Sequence, residues 1–369
     1  MTSDDRPLHA LQSTATFADL LAEFRGKLET QLQAWLTEKE QAAAGESQAS
    51  RELTGVLTRF VARDGKRIRP ALLYYTYAAC GGKSDDKVLP MAMAVELLHT
   101  YLLIHDDIMD HAEVRRGEPA AHVIFADLHR SRGWRGDSRH FGESVGILVG
   151  DLAQSYALEL YSSVDLAPEV AGEFQQCFSA MCQEVVLGQF LEMTAGYREN
   201  LEEDELLRVL RMKSGRYSVE RPVQLGALLA RAPEATRQAL NTYGLKVGEA
   251  FQLQDDLLGM FGDAETVGKP VGGDLVEGKF TLLIHHALRN LSEGESRVLS
   301  AALGNPALQG AEVAKVQRMI EASGARARVD AMVEERLREA REVLAGLELV
   351  QEGADFLEGV IDYLRGRKR

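Results

Sequence analysis

Cysteine is scarce. Three cysteines in 369 residues, Cys80, Cys177 and Cys182, are too few and too scattered for a disulfide scaffold or a zinc ribbon. Nine prolines are few for this length, which suits long uninterrupted helices. No apolar run approaches the roughly 20 residues of a membrane-spanning helix. The polar, acidic opening MTSDDRPLHA is unlike a secretory leader. Thirty-three glycines without a triplet period exclude a collagen-like chain. Period-2 alternation is nearly absent, so strands are not expected. Basic residues are the minority charge: 42 Lys and Arg against 56 Asp and Glu leave a net charge of −14. That balance disfavours a nucleic-acid or anionic-membrane binder. The expectation is no nucleic-acid partner, no membrane span and a reducing, cytoplasmic setting.

What remains is a globular composition, 45% hydrophobic and 27% charged, in a chain long enough to bury roughly three quarters of its unfolded surface. Residues 1–15 read as a flexible tail, and 16–369 as a single all-α domain with no internal repeat. Thr16 and Asp19 have the spacing of a helix N-cap pair. Phe17, Leu20, Leu21, Phe24, Leu28, Leu32 and Trp35 follow at helical intervals. A loop is expected at 42–50. A second amphipathic helix carries Leu53, Val56, Leu57, Phe60 and Val61 and stops at Asp64-Gly65. Pro70 suits the first turn of the next helix. Helical patterns cover 89–111, 144–162, 170–196, 204–231, 235–262, 309–322, 326–346 and 352–365. The clear breaks are 81–86, 130–142 and the glycine-rich 262–274.

The sharpest feature is ELLHTYLLIHDDIMD. At about 100° per residue, Asp106 and Asp110 lie about 40° apart, one turn removed, and Asp107 is within reach of Asp110 at i+3. The preceding stretch is mostly apolar, so this helix reads as buried, and an acidic cluster at its end requires a counter-ion. Hard oxygen ligands with open positions suit Mg²⁺ shared with a phosphate. The bland alternative is a solvated acidic face. A second pair, Asp255 and Asp256, ends another apolar stretch about 150 residues on, with Gln252 on the same face. Two such pairs could clamp one diphosphate from both sides.

Cations flank these carboxylates: Lys66, Arg67 and Arg69 in GKRIRP, Arg115 and Arg116 in EVRRGEP, and Lys213, Lys269 and Lys279 near apolar or glycine-rich stretches. Arginine grips phosphate oxygens as a bidentate fork and lysine acts as a point charge. His99, seven residues before Asp106, reads either as a core hydrogen-bonder or as a group facing the site. Glu96 and His99 also spell the Glu-x-x-His spacing of di-iron bundles, but no second copy is present.

In order along the chain stand GKRIRP, ELLHTYLLIHDDIMD, RRG, VGD, GQFLE, KSGRYS, FQLQDDLLGMFGD and GKPVGGDLVEGKFT. This series resembles the trans-type isoprenyl diphosphate synthases of the polyprenyl synthetase family, over about residues 60–285. The resemblance implies a single large helical bundle around a deep central cavity, a homodimer, and Mg²⁺, three ions with substrate bound. It implies ionisation of an allylic diphosphate, attack by isopentenyl diphosphate on the allylic cation, and loss of a proton. Asp106, Asp107, Asp110, Asp255 and Asp256 would hold metal. Lys66, Arg69, His99 and Arg116 would hold isopentenyl diphosphate. Arg115, Lys213, Ser214, Gln252, Lys269 and Lys279 would hold the allylic diphosphate, with Gly188 and Gln189 lining the cavity near the second carboxylates. The basic tail RGRKR reads first as a solvated end and second as a reach to the homoallylic diphosphate.

The chain departs from the family pattern in four places. Gly259 stands where a third aspartate is usual; either Asp263 replaces it or the site runs on two. Ser214 replaces a threonine, Glu192 an aspartate, and the loop 129–142 is long. Tyr101, five residues before the first aspartate, with Leu102 and Leu98, would floor the cavity under the growing chain. One aromatic floor suits geranylgeranyl diphosphate (C20) synthases, with farnesyl diphosphate (C15) the alternative. A class I terpene cyclase and a squalene- or phytoene-type synthase lack their own second motifs here. A catalytically silent partner of a synthase, or a helical scaffold, is the remaining alternative.

Overall fold

Thr16 opens the first helix with a reciprocal cap: its hydroxyl accepts the Asp19 amide proton at 3.2 Å, and the Asp19 carboxylate accepts the Thr16 amide proton at 3.0 Å. The computed structural model describes residues 15–198, 201–262 and 272–367. The tail assigned to 1–15 therefore lies, but for Ala15, outside the described residues. Helix α1 (Phe17–Glu46) buries the stripe Leu20, Phe24, Leu28, Leu32 and Leu36. The loop expected at 42–50 is not there. α1 runs to Glu46 and α2 (Gln48–Ala62) begins after Ser47 alone, whose hydroxyl accepts the Ser50 amide proton at 3.0 Å. Ala42, Ala43 and Ala44 carry the highest helix propensity, and it outweighs the polar composition around them.

Next come α3 (Ile68–Ala79) and α4 (Asp85–Met109), joined across the expected break near Gly81. α4 is the innermost helix, buried at every residue from Met91 to Leu98. It is the one described helix long and apolar enough to cross a membrane by length and composition, with mean hydropathy 1.4 over its most apolar window. Two thirds of that window is packed inside the protein instead. A short hairpin, β1 (Val114–Arg115) and β2 (Glu118–Pro119), follows. Its turn residues Arg116 and Gly117 have φ of 54° and 77°, the left-handed pair that a tight hairpin turn demands.

α5 (Ala121–Ser131), α6 (Ser138–Ser162) and α7 (Pro168–Ala195) complete the first half. The break expected at 130–142 shrinks to 132–137, because Asp137 caps α6 through the Arg139 and His140 amides. The helical pattern at 204–231 resolves into α8 (Glu203–Leu210), a π-helical segment Arg211–Glu220, and α9 (Arg221–Leu229). α10 (Glu234–Phe261) leads to the short α11 (Gly273–Val276), α12 (Leu282–Asn290), α13 (Glu293–Ala302), α14 (Ala311–Ala322), α15 (Ala325–Ala345) and α16 (Gln351–Gly366). α12 and α13 had no clear periodic signal. Buried apolar side chains from Leu20 to Leu364 form one connected core.

π-helical turns are wide and gather at functional sites. Glycines press this one between its neighbours. A side chain on Gly188 of α7 would overlap Lys213, whose Cα would lie 2.6 Å from it. A side chain on Gly248 of α10 would overlap Gly215. The backbone carrying Lys213, Ser214 and Tyr217 is thus held against both long helices.

Candidate active site

The end of α4 separates its three aspartates. Asp106 lines an apolar cavity of 420 Å³ together with Tyr101, Leu102, Met109, Gln189, Phe190, Lys213, Ser214 and Tyr217. Asp107 points away from it and is wholly buried (0% exposed). There it accepts from Arg115 Nε at 2.7 Å and from Nη2 of the same guanidinium. Asp110 is half-buried, with Asp106 on its own helix and Lys279, Glu277 and Lys213 as its charged neighbours across the cleft. Burial, and then Asp106, push its carboxyl up to about 6. Burial also raises Asp107, with Arg115 opposing.

Arg115 sits on the hairpin, and the hairpin is fastened by Arg63, which donates to Pro119 O at 2.8 Å and Arg115 O at 3.3 Å and meets Glu118 at 3.1 Å. The turn between the strands sends Arg116 the other way. Its guanidinium carbon would be 2.9 Å from a side-chain carbon on Gly65, so Gly65 is what leaves it room.

Arg116 enters a second cavity, of 370 Å³, lined by Arg25, Lys66, Arg67, Arg69, His99, Phe251, Tyr363 and Arg367 among others. The four residues expected to hold the homoallylic diphosphate, Lys66, Arg69, His99 and Arg116, all meet here. Behind them Arg67, in a left-handed conformation (φ 52°) that ends the preceding loop, pairs with Glu96 of α4, and both are buried. Glu96 is therefore occupied by a guanidinium, which removes the Glu-x-x-His metal reading. His99 Nε2 is 3.4 Å from Arg69 Nη1, and His99 Nδ1 is 2.5 Å from the Tyr217 hydroxyl. A guanidinium cannot accept, so Nε2 accepts and Nδ1 carries the proton to the tyrosine oxygen. Burial, then Arg69 and Arg116, hold the imidazole well below its usual range, hence neutral.

The two cavities share Arg69 and His99. The apolar one in turn shares Lys213 and Ser214 with a narrow cleft lined by Glu192, Gln252, Asp256 and Lys279. Lys213 pairs there with Glu192. Gln252 Nε2 donates to Asp256 at 2.7 Å. Burial, then Asp274, raise Asp256 well above the carboxylate range. Burial opposes the charge on Lys279, but Asp274 and Glu277 outweigh it and raise the ammonium. Asp255 meets Arg367 Nη1 at 2.7 Å. The basic tail is thus not a solvated end as far as Arg367, which folds back over the cationic cavity; 368–369 lie outside the described residues. Lys269 and Asp263 also lie outside them. Leu98 is in the core and, unlike Tyr101 and Leu102, lines neither cavity.

Sequence reasoning missed Arg25 and Tyr217 as lining groups, while Arg367 belongs to the tail whose second reading was a reach to this pocket. Tyr217 had a signal, since it sits one turn after Lys213. Arg25 had none, because α1 reaches the cavity only through tertiary packing.

A helical body in which one carboxylate helix ends on an apolar cavity, a second borders the cleft that adjoins it, and a guanidinium-lined pocket lies beside them suits diphosphate esters of apolar chains. The known proteins agree. Residues 50–321 match the polyprenyl synthetase family. The chain is similar to the short chain isoprenyl diphosphate synthase of Methanocaldococcus jannaschii, 39% identical over 70% of this chain and 73% of that protein. It is similar to the geranylgeranyl diphosphate synthase of Methanosarcina mazei, 38% identical over 60% of this chain and 63% of the relative. The structure of geranylgeranyl pyrophosphate synthase from Corynebacterium glutamicum, complexed with isoprenyl diphosphate and magnesium, superposes with a TM-score of 0.89 at 30% identity, covering 94% of this chain and 99% of the other. The chain belongs to the polyprenyl synthetase family. It is a trans-prenyltransferase of the isoprenyl diphosphate synthase type.

Proposed function

We propose that the chain condenses isopentenyl diphosphate with an allylic diphosphate and releases geranylgeranyl diphosphate. The observation that carries this reading is the shared wall: Arg69 and His99 border both the cationic pocket and the apolar cavity. Two substrates, one in each, would meet across that wall.

In this reading Lys66, Arg69 and Arg116 bind the isopentenyl diphosphate by charge-assisted hydrogen bonds. Arg25 and Arg367 add charge at the rim. Lys213 and Lys279 approach the allylic diphosphate from the far side, and Asp107 keeps Arg115 aimed at it. The carboxylates Asp106, Asp110, Asp255 and Asp256 fit a hard divalent cation: Asp106 borders the apolar cavity, Asp256 borders the cleft that shares Lys213 and Ser214 with it, and burial pushes the Asp110 and Asp256 carboxyls up. Mg²⁺ held by these groups would neutralise the diphosphate and stabilise its departure. The neutral His99–Tyr217 pair adds no charge of its own to that wall. The departing diphosphate takes the proton lost after bond formation.

Tyr101, the floor in this reading, lines the apolar cavity. Its ring packs edge-on against His105 at 4.7 Å, and His105 is seated against Gly150, with Nε2 3.0 Å from Ile147 O. A braced ring of this kind limits chain growth, which favours C20. Tyr101→Ala is expected to move the main product beyond C20, read by chromatography of the dephosphorylated alcohols. An unchanged product would remove Tyr101 as the floor.

The apolar residues Ile147, Leu148 and Leu187, exposed on α6 and α7 and outside the apolar cavity, support a homodimer. The connected core supports one domain over 16–369, and the three free cysteines suit a cytoplasmic setting. The deciding experiment incubates purified protein with labelled isopentenyl diphosphate and dimethylallyl, geranyl or farnesyl diphosphate, with and without Mg²⁺. A Mg²⁺-dependent C20 alcohol is the expected result. A C15 end point would transfer the reading to farnesyl diphosphate. No elongation with any starter would end it in favour of a silent partner.

A further inference from the structure

The second carboxylate run is interrupted at Gly259, one turn after Asp255 and Asp256. The glycine is not needed for its backbone, which lies inside the α-helix of α10. It is needed for space. A side-chain carbon on Gly259 would overlap the Asp274 carboxylate, whose carboxyl carbon would lie at 2.6 Å and Oδ1 at 3.1 Å. An aspartate group from another element thus occupies the position where the residue-259 side chain would begin.

Asp274 is brought there by the turn before α11. Gly272 adopts φ 73°, a left-handed conformation that glycine enters at no steric cost. It starts α11 so that Asp274 falls in its first turn. From there Asp274 Oδ1 lies 3.5 Å from Lys279 Nζ, which also meets Glu277 at 2.6 Å. After burial, Asp274 is also what raises the Asp256 carboxyl most. Among the described residues, the hydrogen bond Asp256 accepts comes from the neutral amide of Gln252. The buried Asp256 carboxylate beside half-buried Asp274 calls for a cation, and Lys279 meets only Asp274 of the two, at 3.5 Å.

We infer that Asp274 supplies the carboxylate that residue 259 lacks, so that the second set is Asp255, Asp256 and Asp274, and that Gly259 is required to admit it. This rests on reading that set as a divalent-cation site for a diphosphate. It assigns the third carboxylate to neither alternative drawn from the sequence, Asp263 or a set of two. It also has a mechanical consequence: α11 is already anchored by buried Leu275, and Asp274 adds a tie from α11 to α10 whenever the cation is bound.

The test is calorimetric titration of Mg²⁺ into the full chain with inorganic diphosphate present, with the melting temperature of each variant taken without ligand as a folding control. Asp274→Asn is expected to weaken Mg²⁺ uptake by about tenfold or more, the range seen when groups at a metal site are removed. Gly259→Ala is expected to do the same by displacing Asp274. The double variant Gly259→Asp/Asp274→Ala restores a carboxylate to the same place and is expected to recover most of the loss. A purely structural role for Asp274 would lower the melting temperature and show no such recovery. Wild-type uptake in Asp274→Asn overturns the assignment alone. A wild-type chain that takes up no Mg²⁺ with diphosphate overturns both the assignment and the functional reading beneath it.

Discussion

Asp106→Asn is expected to lower kcat/KM for condensation by about 10³-fold or more while leaving the melting temperature nearly unchanged. Asp106 is the member of its cluster that lines the apolar cavity, beside Lys213 and Ser214. Asparagine keeps its size and its place on α4 but loses the charge. The reaction builds and releases a diphosphate anion there, and removing even one neutral donor from such a site costs about 10²–10³-fold. Losing a full ligand charge should exceed that. Asp107→Asn should behave differently, because Asp107 is buried against Arg115 and has no edge on the cavity. It should cost stability as well as rate. Steady-state kinetics with farnesyl diphosphate, beside thermal melts, separates the two. A loss of less than tenfold in Asp106→Asn would remove Asp106 from the site.

The largest stability effect is expected at Arg67→Leu. Arg67 and Glu96 are paired with 4% and 1% of their surface exposed. Arg67 also donates to Val61 O at 2.7 Å and Arg63 O at 3.0 Å, so it closes the loop from which α3 starts. Leucine at 67 leaves the Glu96 carboxylate buried without its guanidinium, at a cost of about 3–5 kcal/mol. The pair Arg67→Leu/Glu96→Leu removes both charges, and buried pairs exchanged for apolar residues are often neutral in stability. It should recover most of the loss. Urea midpoints for the two variants check this. A single variant within 1 kcal/mol of wild type, by the same bracket of expectation, would show that Glu96 finds another partner.

Both predictions concern residues that the sequence marked, but in ways it could describe only partly. The helical periods of α1, α7, α10 and α16 were plain, because each buries one face against the core, and α4 was plain as a long apolar run buried all round. α12 and α13 were not, being short helices with little periodic length. Ser47 alone divides α1 from α2, where nine polar and small residues had suggested a loop. Helix propensity acts residue by residue and does not register as a break.

The site divides in the same way. Asp106 and Asp110 could be placed on one face because the helical angle is fixed by the backbone. That Asp107 would turn from them depended on Arg115, which the hairpin brings back to α4. His99 could be aligned with the aspartates, but its neutrality depends on which arginines surround it. Lys66, Arg69 and Arg116 were each visible as cations. Their convergence with Arg25 was not, and the reach of the tail that carries Arg367 was only the second reading of that segment.

The sequence by itself determined an all-helical body, two aspartate pairs at the ends of apolar helices, and an ordered series of basic motifs. Those follow from local rules: residue volume, helical angle and charge within one turn. The tertiary structure alone decided which carboxylates face the cavity, which guanidinium groups are spent on holding others in place, and that Asp274 stands at Gly259. These depend on distances between elements far apart in the chain, which are set by how glycines and buried side chains let helices approach.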